Sequence, residues 1–169
     1  MNNTETEMFT NGKLINEEHL GELRKQHRDK KIVFTNGCFD IMHAGHCATL
    51  RKASGFGDLL VVGLNSDKSI KKLKGNNRPI INEADRIELL VSLEFVDYLV
   101  VFDEETPIEL IKSLRPDVLA KGSDYSKEEV VGYEFMKSID GTVELVDLVD
   151  SRSTSKIINK IIQIYGNPE

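Results

Sequence analysis

Apolar residues along this chain fall into short continuous runs, separated by stretches in which they recur every three or four positions. KIVFT (31–35), LLVVGLN (59–65), YLVVF (98–102), DVLAKG (117–122) and TVELVDL (142–148) are rich in β-branched residues and read as five strands. Their apolar character is continuous rather than alternating, which points to burial on both faces, as in a parallel sheet. The stretches between them read as helices. Asn16 caps a helix over 17–28, and a second spans 44–55. Asn82 opens a third, with Ile87, Leu90 and Val91 at helical spacing. Thr106, Pro107 and Glu109 form a capping box with proline at the first helical position, and Ser126 with Glu129 forms another. The last helix runs from Ser153 to Tyr165 with Ile157, Ile158, Ile161, Ile162 and Ile164 on one face. Strand alternating with helix predicts an α/β fold with a doubly wound sheet. Ligands in such a sheet sit beyond the carboxyl ends of the strands.

Bulk composition narrows the function. With 169 residues, the sequence fits a single domain over 14–165 with a sizeable core, after a tail expected to be disordered over 1–13. The net charge of −6 argues against nucleic acid or an anionic membrane as partner. Residues 1–13 lack the charged start and apolar middle of a secretory signal, and no apolar run is long enough to span a membrane. The two cysteines, Cys38 and Cys47, make no disulfide framework, so reduced thiols and a cytoplasmic location are expected.

Four segments at strand ends carry candidate chemistry. In TNGCFDIMHAGH (35–46) the strand ends at Thr35 and Gly37 permits a turn or close ligand approach. His43 and His46, three apart at a helix start, share a face. Unpaired N–H groups and partial positive charge at that start would suit a polyphosphate. Zinc held by Cys38, Asp40, His43, His46 and Cys47 is a poorer alternative, because the cysteines lack the usual spacing. KSIKKLKGNNRP (68–79) holds Lys68, Lys71, Lys72, Lys74 and Arg78 with no acid, a local reversal of sign in an acidic chain. It reads as a flexible cationic loop that grips phosphate, against the blander reading of a solvated charged loop. Lys121 and Asp124, in KGSDY, lie at the same edge of the sheet but in turn chemistry. Ser153, Thr154 and Ser155 open the last helix and either cap it or add a second phosphate or base site, with Arg152 and Lys156 adding charge.

These segments, in this order, resemble the HxGH nucleotidyltransferases of the cytidylyltransferase type. The words FTNGCFDIMHAGH, GDLLVVGLNSDKSIKKLKGNNRPI, ADRIELL, VDYLVVFDEETPIELI and LRPDVLAKGSDY carry the likeness over residues 13–163. Within the family the chain is most similar to the branch that adenylylates D-glycero-β-D-manno-heptose 1-phosphate for surface glycans such as lipopolysaccharide. The resemblance implies a Rossmann-like sheet in 3-2-1-4-5 order, ATP with Mg²⁺, release of pyrophosphate and a homo-oligomer. The Mg²⁺ would be held through the nucleotide phosphates, with no direct protein ligand.

The resemblance also implies roles for particular residues. His43, His46, Lys72 and Lys74 would be catalytic. Thr35, Asn36, Gly37, Cys38 and Phe39, with Lys121, Ser153, Thr154 and Ser155, would bind nucleotide. Lys72, Arg86, Asp124 and Arg152 would bind the acceptor, and Asp40 would touch it or order the turn. The glycerol-phosphate branch has an arginine where Leu148 stands here, and Arg152 is displaced toward the helix. A cytidylyltransferase for glycerol 3-phosphate, and a nucleotide-sensing module without turnover, are the competing readings.

Overall fold

A computed structural model describes residues 12–123, 126–147 and 153–166. In chain order its elements are β1 (Leu14–Ile15), α1 (Leu20–Gln26), β2 (Ile32–Gly37), α2 (Ala44–Ser54), β3 (Leu59–Asn65), α3 (Asp67–Lys74), α4 (Glu83–Val91), β4 (Tyr98–Phe102), α5 (Ile108–Leu114), β5 (Val118–Gly122), α6 (Tyr133–Ser138), β6 (Thr142–Val146) and α7 (Thr154–Tyr165). The strands form one sheet in the order β1-β4-β3-β2-β5-β6, with every pairing parallel.

The five strands expected from the apolar runs are all present, and β4-β3-β2-β5-β6 is the 3-2-1-4-5 order. The sheet has a sixth strand, β1, on the β4 edge. Two residues are too few to display a period, so hydrophobic patterning could not announce it.

Burial on both faces explains the continuous apolar runs. Ile32, Phe34 and Val61 face a core shared with Leu20 and Leu23 of α1 and Leu110 and Ile111 of α5. Val33, Leu60 and Val62 face the opposite core, with Leu50 of α2 and Leu90 of α4. Alternate residues of one strand thus serve both layers, at about 1.5–3 kcal/mol for each large apolar side chain fully buried.

Several local expectations need correction. Residues 17–19 form a 3-10 turn ahead of α1, and Asn16 makes no side-chain cap. The Thr106–Pro107–Glu109 box does not form; Pro107 itself occupies the N-cap position of α5, with no side-chain cap. The Ser126–Glu129 box does form, on a 3-10 turn. The lysine-rich stretch is not a loop. Ser66 caps it through Ser69 N–H, Ile70 is fully buried, and Gly75 at φ +87 ends it, making α3. The isoleucine face of α7 is largely open, Ile161 being 50% and Ile162 59% exposed. Residues 1–11 of the expected tail lie outside the described residues; Lys13 is tied in, donating from Nζ to Leu93 O and accepting from Leu99 N–H.

The two rims of the sheet differ in kind. At the amino rim, carboxylates satisfy strand-start N–H groups: Asp58 accepts from Lys31, Asp97 from Leu60, and Asp117 from Ile32, each at 2.7 Å. Negative charge is thereby fixed at the rim where no phosphate is expected, whereas the carboxyl rim gathers the histidines and the lysines of α3 alongside Asp40, Asp103 and Glu105. Among the described residues no helix is long and apolar enough to cross a membrane.

Candidate active site

The turn from β2 to α2 places the histidines. Phe39 bends the chain through a left-handed conformation at φ +46, and His43 is extended at φ −146, which makes it the N-cap of α2. The capping is reciprocal. His43 Nδ1 accepts from Gly45 N–H at 3.1 Å, and His46 Nδ1 accepts from His43 N–H at 3.3 Å. Two of the helix-start N–H groups expected to meet a phosphate are therefore already engaged by imidazole.

For the neutral His46, that engagement fixes the tautomer. A neutral imidazole that accepts at Nδ1 carries its proton on Nε2. His46 thus receives a hydrogen bond from the helix start and offers a donor at its far nitrogen, each bond polarising the next, whereas the His43 Nε2 is buried and His43 is not part of the cleft lining. The rings stack with centroids 4.0 Å apart, and Phe39 meets His46 edge-on at 5.5 Å. Burial, with the neighbouring His43 and Lys74 adding repulsion, lowers the His46 pKa from 6.5 to about 4. His46 is neutral at pH 7.

A cleft of about 380 Å³ opens at this rim. Of the residues expected there from sequence, Thr35, Asn36, Gly37, Cys38, Phe39, His46, Lys74 and Lys121 line it. At Gly37 a Cβ would come within 3.1 Å of the Phe39 ring, so the close approach is one that glycine allows. Lys121 reaches across from β5, its Nζ 3.4 Å from Asn36 O. Thr49, Asn65, Leu73 and Glu105 also line the cleft and were missed. Asn65 ends β3 just as Asn36 stands at the end of β2, so the rule that ligands lie beyond strand ends could have found it. Leu73 and Glu105 carried no comparable signal.

Asp40 and Arg86 stand behind the cleft. Asp40 is 2% exposed; its Oδ1 accepts from Ile80 N–H at 2.7 Å and Ile81 N–H at 2.9 Å, and Arg78 pairs with Oδ2. It orders the turn by tying the β2–α2 loop to the segment before α4. Arg86 is fully buried. It donates to Cys38 O at 2.7 Å, Asn65 O at 2.8 Å and Asp67 Oδ1 at 2.8 Å. It therefore clamps the ends of β2 and β3 to the start of α3 and presents nothing to the cleft.

The helical state of α3 separates the lysines. Residues two apart on a helix point about 200° apart. Lys74 lines the cleft, whereas Lys68, Lys71 and Lys72 border a separate depression with Asn76. Lys68 is engaged by Asp103 at 2.7 Å. The start of α7 is likewise not part of the cleft lining. Ser153 Oγ caps through Lys156 N–H at 3.2 Å, Thr154 donates to Ile41 O at 3.4 Å, and Ser155 is exposed. Asp124 and Arg152 lie outside the described residues. The zinc alternative finds no support, because Asp40 Oδ1 and both histidine Nδ1 atoms are engaged as above; among the described residues no group of three His, Cys, Asp or Glu could hold a metal.

The profile of the cytidylyltransferase-like family matches residues 34–163, from the middle of β2 to the last helix. The chain belongs to the cytidylyltransferase-like family. This bears out the resemblance read from FTNGCFDIMHAGH and the segments after it. Among curated proteins, the bifunctional protein HldE of Geobacter metallireducens is 56% identical over 139 residues, covering 82% of this chain and 28% of that protein. Its namesake from Geotalea uraniireducens is 58% identical over 134 residues, 79% of this chain and 27% of that one. The chain thus spans less than a third of the length of the curated relatives it matches. Among solved structures, the lipopolysaccharide core biosynthesis protein of Thermoplasma volcanium superposes with a TM-score of 0.56 at 27% identity, covering 73% of this chain and 99% of that one. A pantoate-β-alanine ligase from Francisella tularensis, at 16% identity and TM-score 0.60 over 92% of this chain and 79% of its own, shares the fold.

Proposed function

We propose that this chain transfers AMP from ATP to D-glycero-β-D-manno-heptose 1-phosphate, giving an ADP-sugar and pyrophosphate. The observation that carries the reading is the His43–His46 pair at the start of α2, whose neutral His46 lines one open cleft together with Lys74 and Lys121. Family membership supports nucleotidyl transfer. The sugar rests on the sequence resemblance, on relatives named as bifunctional of which this chain matches a fraction, and on a lipopolysaccharide-named structural neighbour.

The chemistry asks for positioning more than for a base. A sugar phosphate has a second pKa of about 6, so its oxygen is already anionic at pH 7. That oxygen attacks the α-phosphorus; the new P–O bond forms as the bond to pyrophosphate breaks, and no enzyme group is covalently modified. The His46 Nε2–H donates to a non-bridging α-phosphate oxygen as charge builds there, and Lys74 and Lys121 offset the charge of the flanking phosphates. The cleft lining has one carboxylate, Glu105, beside two lysines, a donor set that fits Mg²⁺ carried by the nucleotide phosphates rather than by a protein cage. When bound, Mg²⁺ supplies charge neutralisation on the pyrophosphate. Both substrates place the reaction in the cytoplasm, and a homo-oligomer is the expected assembly.

Pyrophosphate release by the purified chain, measured for four nucleotides against sugar 1-phosphates and glycerol 3-phosphate, tests the proposal. Turnover should require ATP and the heptose phosphate. Release with CTP and glycerol 3-phosphate instead would reassign the substrate, and nucleotide binding without release from any pair would make the chain a sensor.

A further inference from the structure

Among the described residues, the cleft lining holds a single carboxylate beside its cations. Glu105, in the turn between β4 and α5, lines the cleft beside Leu73 and Lys74. Its neighbours are engaged by α3. Ser66 Oγ and Lys68 Nζ donate to the Asp103 carboxylate at 2.6 and 2.7 Å, and the fully buried Ser69 donates from Oγ to Glu104 O at 2.7 Å. These bonds hold the turn against the helix that brings Lys74 to the cleft. Among the described residues, no hydrogen bond or ion pair involves the Glu105 carboxylate. The scaffold therefore fixes the backbone of the turn, and the exposed Glu105 borders the cleft.

A carboxylate repels bare phosphate, so Glu105 suits either Mg²⁺ carried with the triphosphate or hydrogen-bond donors of the substrates. As hydrogen-bond acceptors its oxygens would meet the adenine amino group or ribose of the nucleotide, or the hydroxyls of the acceptor sugar. The sheet order decides between the two substrates. Lys121 approaches from β5, on one side of β2, whereas Glu105 follows β4, two strands away on the other side. With the nucleoside assigned to the Lys121 side and the triphosphate reaching Lys74, the sugar of the acceptor lies against the β4–α5 turn. We propose that Glu105 is a specificity-determining residue that accepts hydrogen bonds from the sugar hydroxyls of the acceptor. This assignment rests on the sugar-phosphate reading above.

The test compares wild type, Glu105→Ala and Glu105→Gln in the full chain. ATP, D-glycero-β-D-manno-heptose 1-phosphate and MgCl₂ are titrated in turn, with pyrophosphate release as the readout and melting temperatures as a check on folding. Glu105→Ala should raise the acceptor KM roughly 10- to 100-fold, the scale of losing hydrogen bonds to a charged group, while the ATP KM and half-saturating Mg²⁺ stay within about twofold. Glu105→Gln, which keeps an accepting oxygen without the charge, should fall between. An unchanged acceptor KM overturns the proposal, and so does a shift confined to ATP or to Mg²⁺, which would make Glu105 a nucleotide or metal group. Wild type that releases no pyrophosphate with the heptose phosphate would overturn the sugar-phosphate reading together with it. A normal wild type beside an unaffected Glu105→Ala overturns Glu105 alone.

Discussion

The claim most exposed to experiment is that His46 works as a neutral donor and not as a cation or proton shuttle. The ring is partly buried, stacked on His43 and near Lys74, and together these lower its pKa from 6.5 to about 4. At roughly 1.4 kcal/mol per tenfold change in proton affinity, that displacement corresponds to about 3 kcal/mol. Water in the open cleft screens part of it, which leaves about 1.5 kcal/mol. The sign follows from which state binds the proton. Between pH 6.5 and about 4 the unfolded chain protonates this residue and the folded one resists. Stability therefore falls as pH drops through that window, and above it the contribution is constant. Urea unfolding at pH 7 and at pH 4.5 should show the loss. His46→Asn should lessen the pH dependence by about 1 kcal/mol, since the remaining groups titrate as before.

Long-range proton–nitrogen NMR of the imidazoles reads the same claim directly. His46 should show the Nε2–H tautomer with no titration between pH 5.5 and 8. In turnover, His46→Ala should lower kcat roughly 10²-fold or more, the cost of losing one transition-state donor, with the fold intact. Any acidic limb near pH 6 in kcat/KM should belong to the acceptor phosphate, and so should persist in His46→Asn. A titration midpoint near 6.5, an Nδ1–H tautomer, or an acidic limb that vanishes in His46→Asn would refute the neutral-donor argument.

Three further outcomes follow from the geometry. Lys74→Ala should raise the ATP KM about tenfold or more, the scale of one charge-assisted contact, whereas Lys72→Ala should change it less than about threefold; steady-state kinetics of both variants would show whether α3 separates them. Arg86→Ala should destabilise by about 3–5 kcal/mol in urea unfolding, because it strands Asp67 and two carbonyls around a cavity; a cost under about 1 kcal/mol would mean the clamp is not holding the strand ends together. Asp40→Asn should loosen the segment at 78–81 and raise its amide hydrogen exchange, with about 1–3 kcal/mol lost for the weakened pairing with Arg78 and the two amides; unchanged exchange there would show that the segment is held by other contacts.

The sequence made visible whatever is encoded in long runs or in local spacing. Five strands showed through their β-branched runs, because burial on both faces leaves no polar position to interrupt them. The histidine pair showed because a three-residue spacing at a strand end has few structural uses. The lysines did not resolve the same way. In DKSIKKLK two apolar residues, Ile70 and Leu73, are the whole signal for a helix, and six polar neighbours hide it. Reading that stretch as a loop merged Lys72 with Lys74, although a helical turn sends them to different surfaces. Arg86 misled in the opposite direction, and for Asp40 only the reading in which it orders the turn fits the structure. A charged residue in a catalytic-looking word suggests ligand contact, yet their partners are the backbone of Cys38, Asn65, Ile80 and Ile81, and backbone groups carry no side-chain signature in a sequence. Strand-end words therefore name which residues gather around the cleft. Whether a given charge faces the ligand or braces the chain behind it depends on tertiary hydrogen bonds, and at this rim the two kinds lie side by side: Cys38 lines the cleft while its carbonyl is held from behind by Arg86.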